Sequence, residues 1–138
     1  MTAIGRALAV LAVLVAATSF AAPVRADDTV VKHHVKYTVS AANPIYTDIY
    51  YLDQEPPIFA DYSHNPYQFV PNVKVDISPG HPWSYELDLA KPEVWALVTA
   101  STGTEPGTPG LHCDLTVDGK VVVSKDGPKG VLCSIRHW

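Results

Sequence analysis

The groups with chemistry to offer in this 138-residue chain are two cysteines, six histidines, fourteen acids and a scatter of serines. Cys113 and Cys133 lack the C-x-x-C spacing of a redox pair, and a structural zinc site needs about four ligands. His112 neighbours Cys113, but consecutive strand residues point to opposite faces, so the two are poor co-ligands. His33 and His34 diverge for the same reason. His64, His81, His112 and His137 follow no H-x-H or H-E-x-x-H pattern. Ser40, Ser63, Ser78 and Ser84 stand near strands or turns without a G-x-S-x-G elbow. Asp76, Glu86, Asp88 and Asp114 occupy outward positions of alternating strands, which reads as a solvated face rather than a paired-carboxylate site. No catalytic residue, metal site or cofactor is expected, and the reading is not an enzyme. The cysteines are expected to be a disulfide.

That reading depends on the compartment. Met1–Arg6 carries one positive charge. The stretch from Ala7 to Ala22 is apolar except for Thr18 and Ser19, and Val24-Arg25-Ala26 resembles an A-x-A cleavage site before Asp27-Asp28. The apolar run is short for a bilayer span of ~20 residues. Residues 1–26 therefore read as a secretory signal peptide, with an uncleaved anchor as the alternative. Residues 27–138 read as one domain, secreted or held in the cell envelope. That part carries seven lysines and one arginine against fourteen acids, which excludes nucleic acid and anionic membranes as partners of the whole surface. Two cysteines in an exported chain pair more often than they stay free.

The elements that position these groups are strands. Residues 31–39 alternate, with Val31, His33, Val35, Tyr37 and Val39 on the inward face; 73–77, 83–89 and 111–117 repeat the pattern. Residues 46–52 are rich in β-formers, and 94–100 are apolar on both faces, as in a central strand. In that strand Trp95 would lie across from Val94 and Ala96 and pack on the cysteine sulfurs. Trp83, Tyr85 and Leu87 read as core, and His33 as a hydrogen-bonded histidine at the sheet end. Proline and glycine clusters break the strands, and Asp118-Gly119 between β-branched runs is a two-residue hairpin signal. No helical face is evident after Ala26. Seven or eight short strands predict an all-β fold, an antiparallel immunoglobulin-like β-sandwich of about seven strands with one disulfide.

A hairpin at Asp118-Gly119 places Val117 opposite Lys120 and Cys113 opposite Ser124. A last strand that simply continued the meander would leave Cys133 about 10 Å from Cys113, beyond the ~7 Å limit between bonded Cα atoms. The strand near Val131–Ile135 must therefore cross to the facing sheet or lie on the other side of the Cys113 strand.

Residues 54–72 are the least regular stretch: a long loop with a short edge strand near 68–70. It brings Phe59, Tyr62, Tyr67 and Phe69 near Tyr46 and Tyr50. The loop's aromatics read as folding back over the sandwich edge. The alternative is that these six form a binding surface, since tyrosine and phenylalanine offer large contact area with polar handles.

Several of these pieces occur in an order that resembles a family. They are Tyr37-Thr38-Val39, Asp48-Ile49-Tyr50-Tyr51-Leu52-Asp53, Pro82-Trp83-Ser84, Trp95-Ala96-Leu97-Val98, the Cys113-to-Val122 hairpin with Val117-Asp118-Gly119, and Cys133. Together they resemble the MmpS family of mycobacterial small membrane proteins, over about 35–133. The resemblance implies a β-sandwich that acts as a non-enzymatic accessory to an MmpL-type transporter of lipids or siderophores. Members usually keep an N-terminal membrane helix where this chain has a cleavable-looking run. A free secreted module binding a lipid or other apolar ligand is the alternative.

Overall fold

The computed structural model describes residues 29–137. The segment read as a signal, 1–26, lies outside the described residues. Within them no helix is long and apolar enough to cross a membrane.

The chain forms eight strands: β1 (His33–Ala41), β2 (Ile45–Tyr51), β3 (Asn72–Ile77), β4 (Trp83–Leu89), β5 (Leu97–Ser101), β6 (Leu111–Val117), β7 (Lys120–Gly127) and β8 (Gly130–Ser134). They build two four-stranded sheets, ordered β4-β1-β6-β7 and β3-β2-β5-β8, and every pairing is antiparallel. The expected β-sandwich is present. β1 shows how the pattern produces it: Val35, Tyr37, Val39 and Ala41 are buried, while the residues between them face outward. Val98 on β5, Ile49 on β2 and Leu115 on β6 fill the core from their own strands.

The cysteine constraint is met by the crossing route. β7 pairs with β6 in one sheet, and β8 then joins β5 in the other. The disulfide Cys113–Cys133 therefore spans the two sheets, with Cα atoms 6.1 Å apart and both residues fully buried. The Asp118-Gly119 turn is also as expected: both residues have positive φ, 50° and 80°, the geometry of a type I′ hairpin. Val117 does face Lys120. Cys113, however, faces Lys125 rather than Ser124, because a bulge at Val122 adds one residue to β7 between the Thr116 and Leu115 rungs.

Three other expectations fail locally. Residues 94–96 are not strand: Pro92–Trp95 form a single helical turn, α2, with proline in its first turn and the amides of Val94 and Trp95 donating to the Lys91 carbonyl. Trp95 consequently packs on the loop rings Phe59 and Tyr62, its centroid 6.3 and 5.5 Å from theirs, instead of spanning a strand towards the sulfurs. The long loop holds a short helix, α1 (Phe59–His64), where none was evident. Residues 68–70 are not a strand; they leave a 3₁₀ turn at Pro66–Gln68, whose Pro66 carbonyl accepts the amides of Phe69 and Val70.

The two sheets are closed by rings on the β3/β4 side. Tyr51 of β2 packs against Trp83 and Tyr85 of β4, at 4.9 and 4.6 Å between centroids. All three are half-buried and lie against the core. A polar tether crosses the interior: the buried Tyr37 hydroxyl donates to the Leu52 carbonyl at 2.9 Å and accepts from the Leu97 amide at 3.4 Å. Burial pushes the Tyr37 hydroxyl well above the usual tyrosine range.

Candidate functional site

The six aromatics considered as one surface separate into three environments. Tyr46 and Tyr50 stand on the outer face of β2, four residues apart and so about 13 Å along the strand. Tyr67, 72 % exposed, comes over from the loop and places its ring 6.3 Å from that of Tyr50. Phe59 is half exposed at the first position of α1. Its ring is stacked on Trp95 and covered by the Arg136 guanidinium, 5.1 Å from the centroid. Tyr62 is partly buried between Phe59 and Trp95. Phe69 does not belong to the surface: it is only 3 % exposed, drawn inward after the 3₁₀ turn, where its carbonyl accepts the Asp53 amide. The loop therefore both covers the sandwich edge and presents rings to solvent.

Tyr46, Tyr50 and Tyr67 lie with polar neighbours. Across the sheet Asn72, Tyr50, Thr99 and the exposed Leu132 form one row. Asp48 and Lys74 form the next, with Lys74 Nζ 3.8 Å from Asp48 Oδ1. Such a face has large apolar rings held on rigid strands between hydrogen-bonding groups. It can contribute contact area without ordering a flexible chain. Ile58, also exposed, extends the apolar surface at Phe59.

The outer face of the other sheet is ionic. His34 on β1 lies 3.2 Å from Asp88 and 3.3 Å from Glu86 on β4. At the opposite end, His112 on β6 meets Asp126 through Nδ1 at 2.7 Å and Asp114 through Nε2 at 3.0 Å. Ser124 donates its hydroxyl to Asp114 at 2.7 Å and sits 3.3 Å from His112 Nε2. Position in sequence hid this cluster. The simple hairpin register put Ser124 opposite Cys113, and the bulge at Val122 instead sets it opposite Asp114, with Asp126 opposite His112.

Ser124, His112 and Asp126 have the connectivity of a nucleophile, base and acid, but the serine hydroxyl is turned to another acceptor. Carboxylates on both ring nitrogens raise the His112 pKa, the Asp126 hydrogen bond most, against a smaller opposing effect of burial. In this geometry the Ser124 hydroxyl donates to Asp114, so its proton is not aimed at the His112 ring. Glu86 and Asp88 raise the His34 pKa in the same way. Hydrogen bonds from His33 and the His34 amide to Asp118 lower that carboxyl's pKa. His33, the residue expected at the sheet end, is thus a clamp on the β6–β7 turn. Among the described residues no three His, Cys, Asp or Glu side chains are arranged to hold a metal.

These shifts fix a pH dependence. A histidine whose folded pKa is raised contributes stability that is fully present below about pH 6.5 and lost as pH rises through the folded pKa; lowered Asp118 contributes above about pH 4 and loses it in acid. Thermal midpoints are expected to be highest between about pH 4.5 and 6.5 and to decline towards pH 8. His112→Gln should flatten the decline, with an effect of at most ~1 kcal/mol because the pair is partly solvated. A midpoint that rises from pH 6 to 8 would contradict the protonated clusters.

Several grooves open at the surface of the described residues. One, of about 530 Å³, runs between the edges of β7 and β8, with Val122, Leu132 and Ile135 beside Lys125, Arg136 and His137. Another, of about 410 Å³, lies beside Ala42, Leu111 and Pro128. A third, of about 330 Å³, lies in the long loop between Pro57, His64 and Phe69.

Residues 37–133, from the buried tether tyrosine to the second cysteine, match the family described as the Rv2576c beta-sandwich domain. The chain belongs to that family. It is 39 % identical over 123 residues to the uncharacterized proteins Rv2576c of Mycobacterium tuberculosis and Mb2606c of Mycobacterium bovis, an alignment covering 89 % of this chain and 79 % of each relative. The matched region of the Rv2576c family holds the whole sandwich from mid-β1 to β8, with both half-cystines and the outward tyrosines of β2.

Proposed function

We propose that this Rv2576c-family domain is an exported, non-enzymatic accessory module that works by protein contact beside an MmpL-type transporter of lipids or siderophores. The resemblance to the MmpS family supplies the transporter. The buried disulfide and the clustered charges suit an extracytoplasmic chain. The observation that carries the reading is the pair of exposed rings Tyr50 and Tyr67, 6.3 Å apart on the outer face of β2, with exposed Tyr46 further along the strand. Exposed apolar groups gathered in one place mark interaction sites more often than chance scatter does. The alternative, a free carrier for an apolar ligand, calls for an enclosed cavity, whereas Val35, Tyr37, Val39, Val98 and the disulfide fill the centre of the sandwich with no exposure. The Ser124 hydroxyl, donated to Asp114 on an exposed strand, favours binding over hydrolysis.

Affinity-tagged chain expressed in a mycobacterium should recover an MmpL-type transporter after mild cross-linking. Tyr50→Ala with Tyr67→Ala should lower that recovery at least ~10-fold, the loss of one good ring contact or more. Thr38→Ala, on the ionic face, should leave it unchanged. Equal recovery with both variants would remove the tyrosine face from the account.

A further inference from the structure

The two sides of the sandwich are guarded differently. On one side the rings of Tyr51, Trp83 and Tyr85 close the gap between β2 and β4. On the other side lie β7 and β8, each at the end of its sheet. β7 pairs only with β6, so its outward backbone groups have no ladder partner among the described residues. Beside that free edge runs the groove of about 530 Å³. Val122 and Leu132 are exposed along it.

Charge sets this side apart from the rest of the molecule. The chain as a whole carries −4. The groove, however, is lined among the described residues by Lys125 and Arg136 and by no acid. Lys125 is on the inward register opposite Cys113, yet stays exposed because β7 is an edge. Its side chain lines the groove.

The geometry points to a strand-addition site: β7 and its groove receive an extended, acidic segment of a partner protein, which adds as a fifth strand to β4-β1-β6-β7. A free strand edge offers ladder hydrogen bonds only to an extended chain, and alternate side chains of that chain can enter the groove. The cations select an acidic occupant. They also repel a second copy's β7, as edge lysines do in sheets that avoid self-pairing. The bulge at Val122 interrupts the strand, so the added ladder falls on residues 123–127. A bilayer surface can meet the cations but cannot enter the groove or satisfy the strand edge. This site borders the tyrosine face at Leu132 but does not rest on the transporter reading.

The test is a titration of the ¹⁵N-labelled full chain with a short synthetic peptide alternating valine and glutamate. Amide signals of 123–127 should shift, and their hydrogen exchange should slow. Replacing glutamate by lysine in the peptide, or methylating its alternate backbone nitrogens, should weaken binding at least ~10-fold. Lys125→Glu should weaken the glutamate peptide and strengthen the lysine peptide. Unmoved signals would overturn the proposal. So would equal binding of the N-methylated peptide, which means charge without strand addition, or the same shifts from vesicles of anionic phospholipid alone, which means a lipid surface occupies the edge.

Discussion

Replacing both cysteines, Cys113→Ala with Cys133→Ala, is expected to cost the domain about 3 kcal/mol and lower its melting temperature by roughly 10–15 °C. The bond joins residues 20 apart in sequence, and closing a loop of that size removes about 3 kcal/mol of chain entropy from the unfolded state. The location makes the loss global rather than local. Cys113 belongs to the β1-containing sheet and Cys133 to the β2-containing sheet, so the bond ties the two layers at a fully buried point. β8 is a short edge strand held laterally by β5 alone, so its seat on the core depends on the bond. Cavity formation at two buried sites adds to the cost. Thermal melts with and without a phosphine reductant check this. Wild type in reductant should fall most of the way to the double variant and stay above it, since its two thiols still fill the buried sites. A melting temperature unmoved by reduction would mean that the staple carries no stability.

Tyr37→Phe should destabilise the fold by about 1–3 kcal/mol. The ring stays and leaves no cavity; only the hydroxyl goes. That oxygen serves two buried backbone groups at once, the Leu52 carbonyl and the Leu97 amide. The two residues also bond to each other through the Leu52 amide and Leu97 carbonyl at 3.0 Å, which locks the end of β2 beside the start of β5. Removing the hydroxyl leaves one donor and one acceptor in a dry interior, where each unmet group is costly. Chemical denaturation should show a lower midpoint at unchanged slope. A loss below ~0.5 kcal/mol would show that water or a small backbone shift replaces the tether.

The sandwich was legible where one face of each strand is buried. The odd residues of β1 and the alternation of β3 and β4 specify their register directly. The two cysteines went further than periodicity could, since the distance limit on the bond excluded a plain meander and left two routes, of which β8 takes the crossing to the facing sheet. What the sequence concealed was decided by single residues. The extra residue at Val122 carries no compositional mark, and it reassigns Ser124 and Asp126 to new partners, creating the His112 cluster. Pro92 opens a helical turn that apolar content alone reads as strand, and so Trp95 changes neighbours. The aromatics of the loop were identifiable by type. Which of them face solvent depends on α1 and the 3₁₀ turn, short elements held by ring packing on Trp95 and by the Pro66 carbonyl rather than by any side-chain cap.

The tyrosine face is the centre of the functional account, and site-specific photo-cross-linking in living mycobacteria tests it most directly. A benzophenone amino acid placed at Tyr67, the most exposed of the rings, should form an adduct with an MmpL-type transporter, identified by mass spectrometry. The same group at Thr38 on the ionic sheet should form none. Adducts from Thr38 but not from Tyr67, or adducts from Tyr67 that contain lipid and no transporter, would contradict an accessory that acts by protein contact through this face.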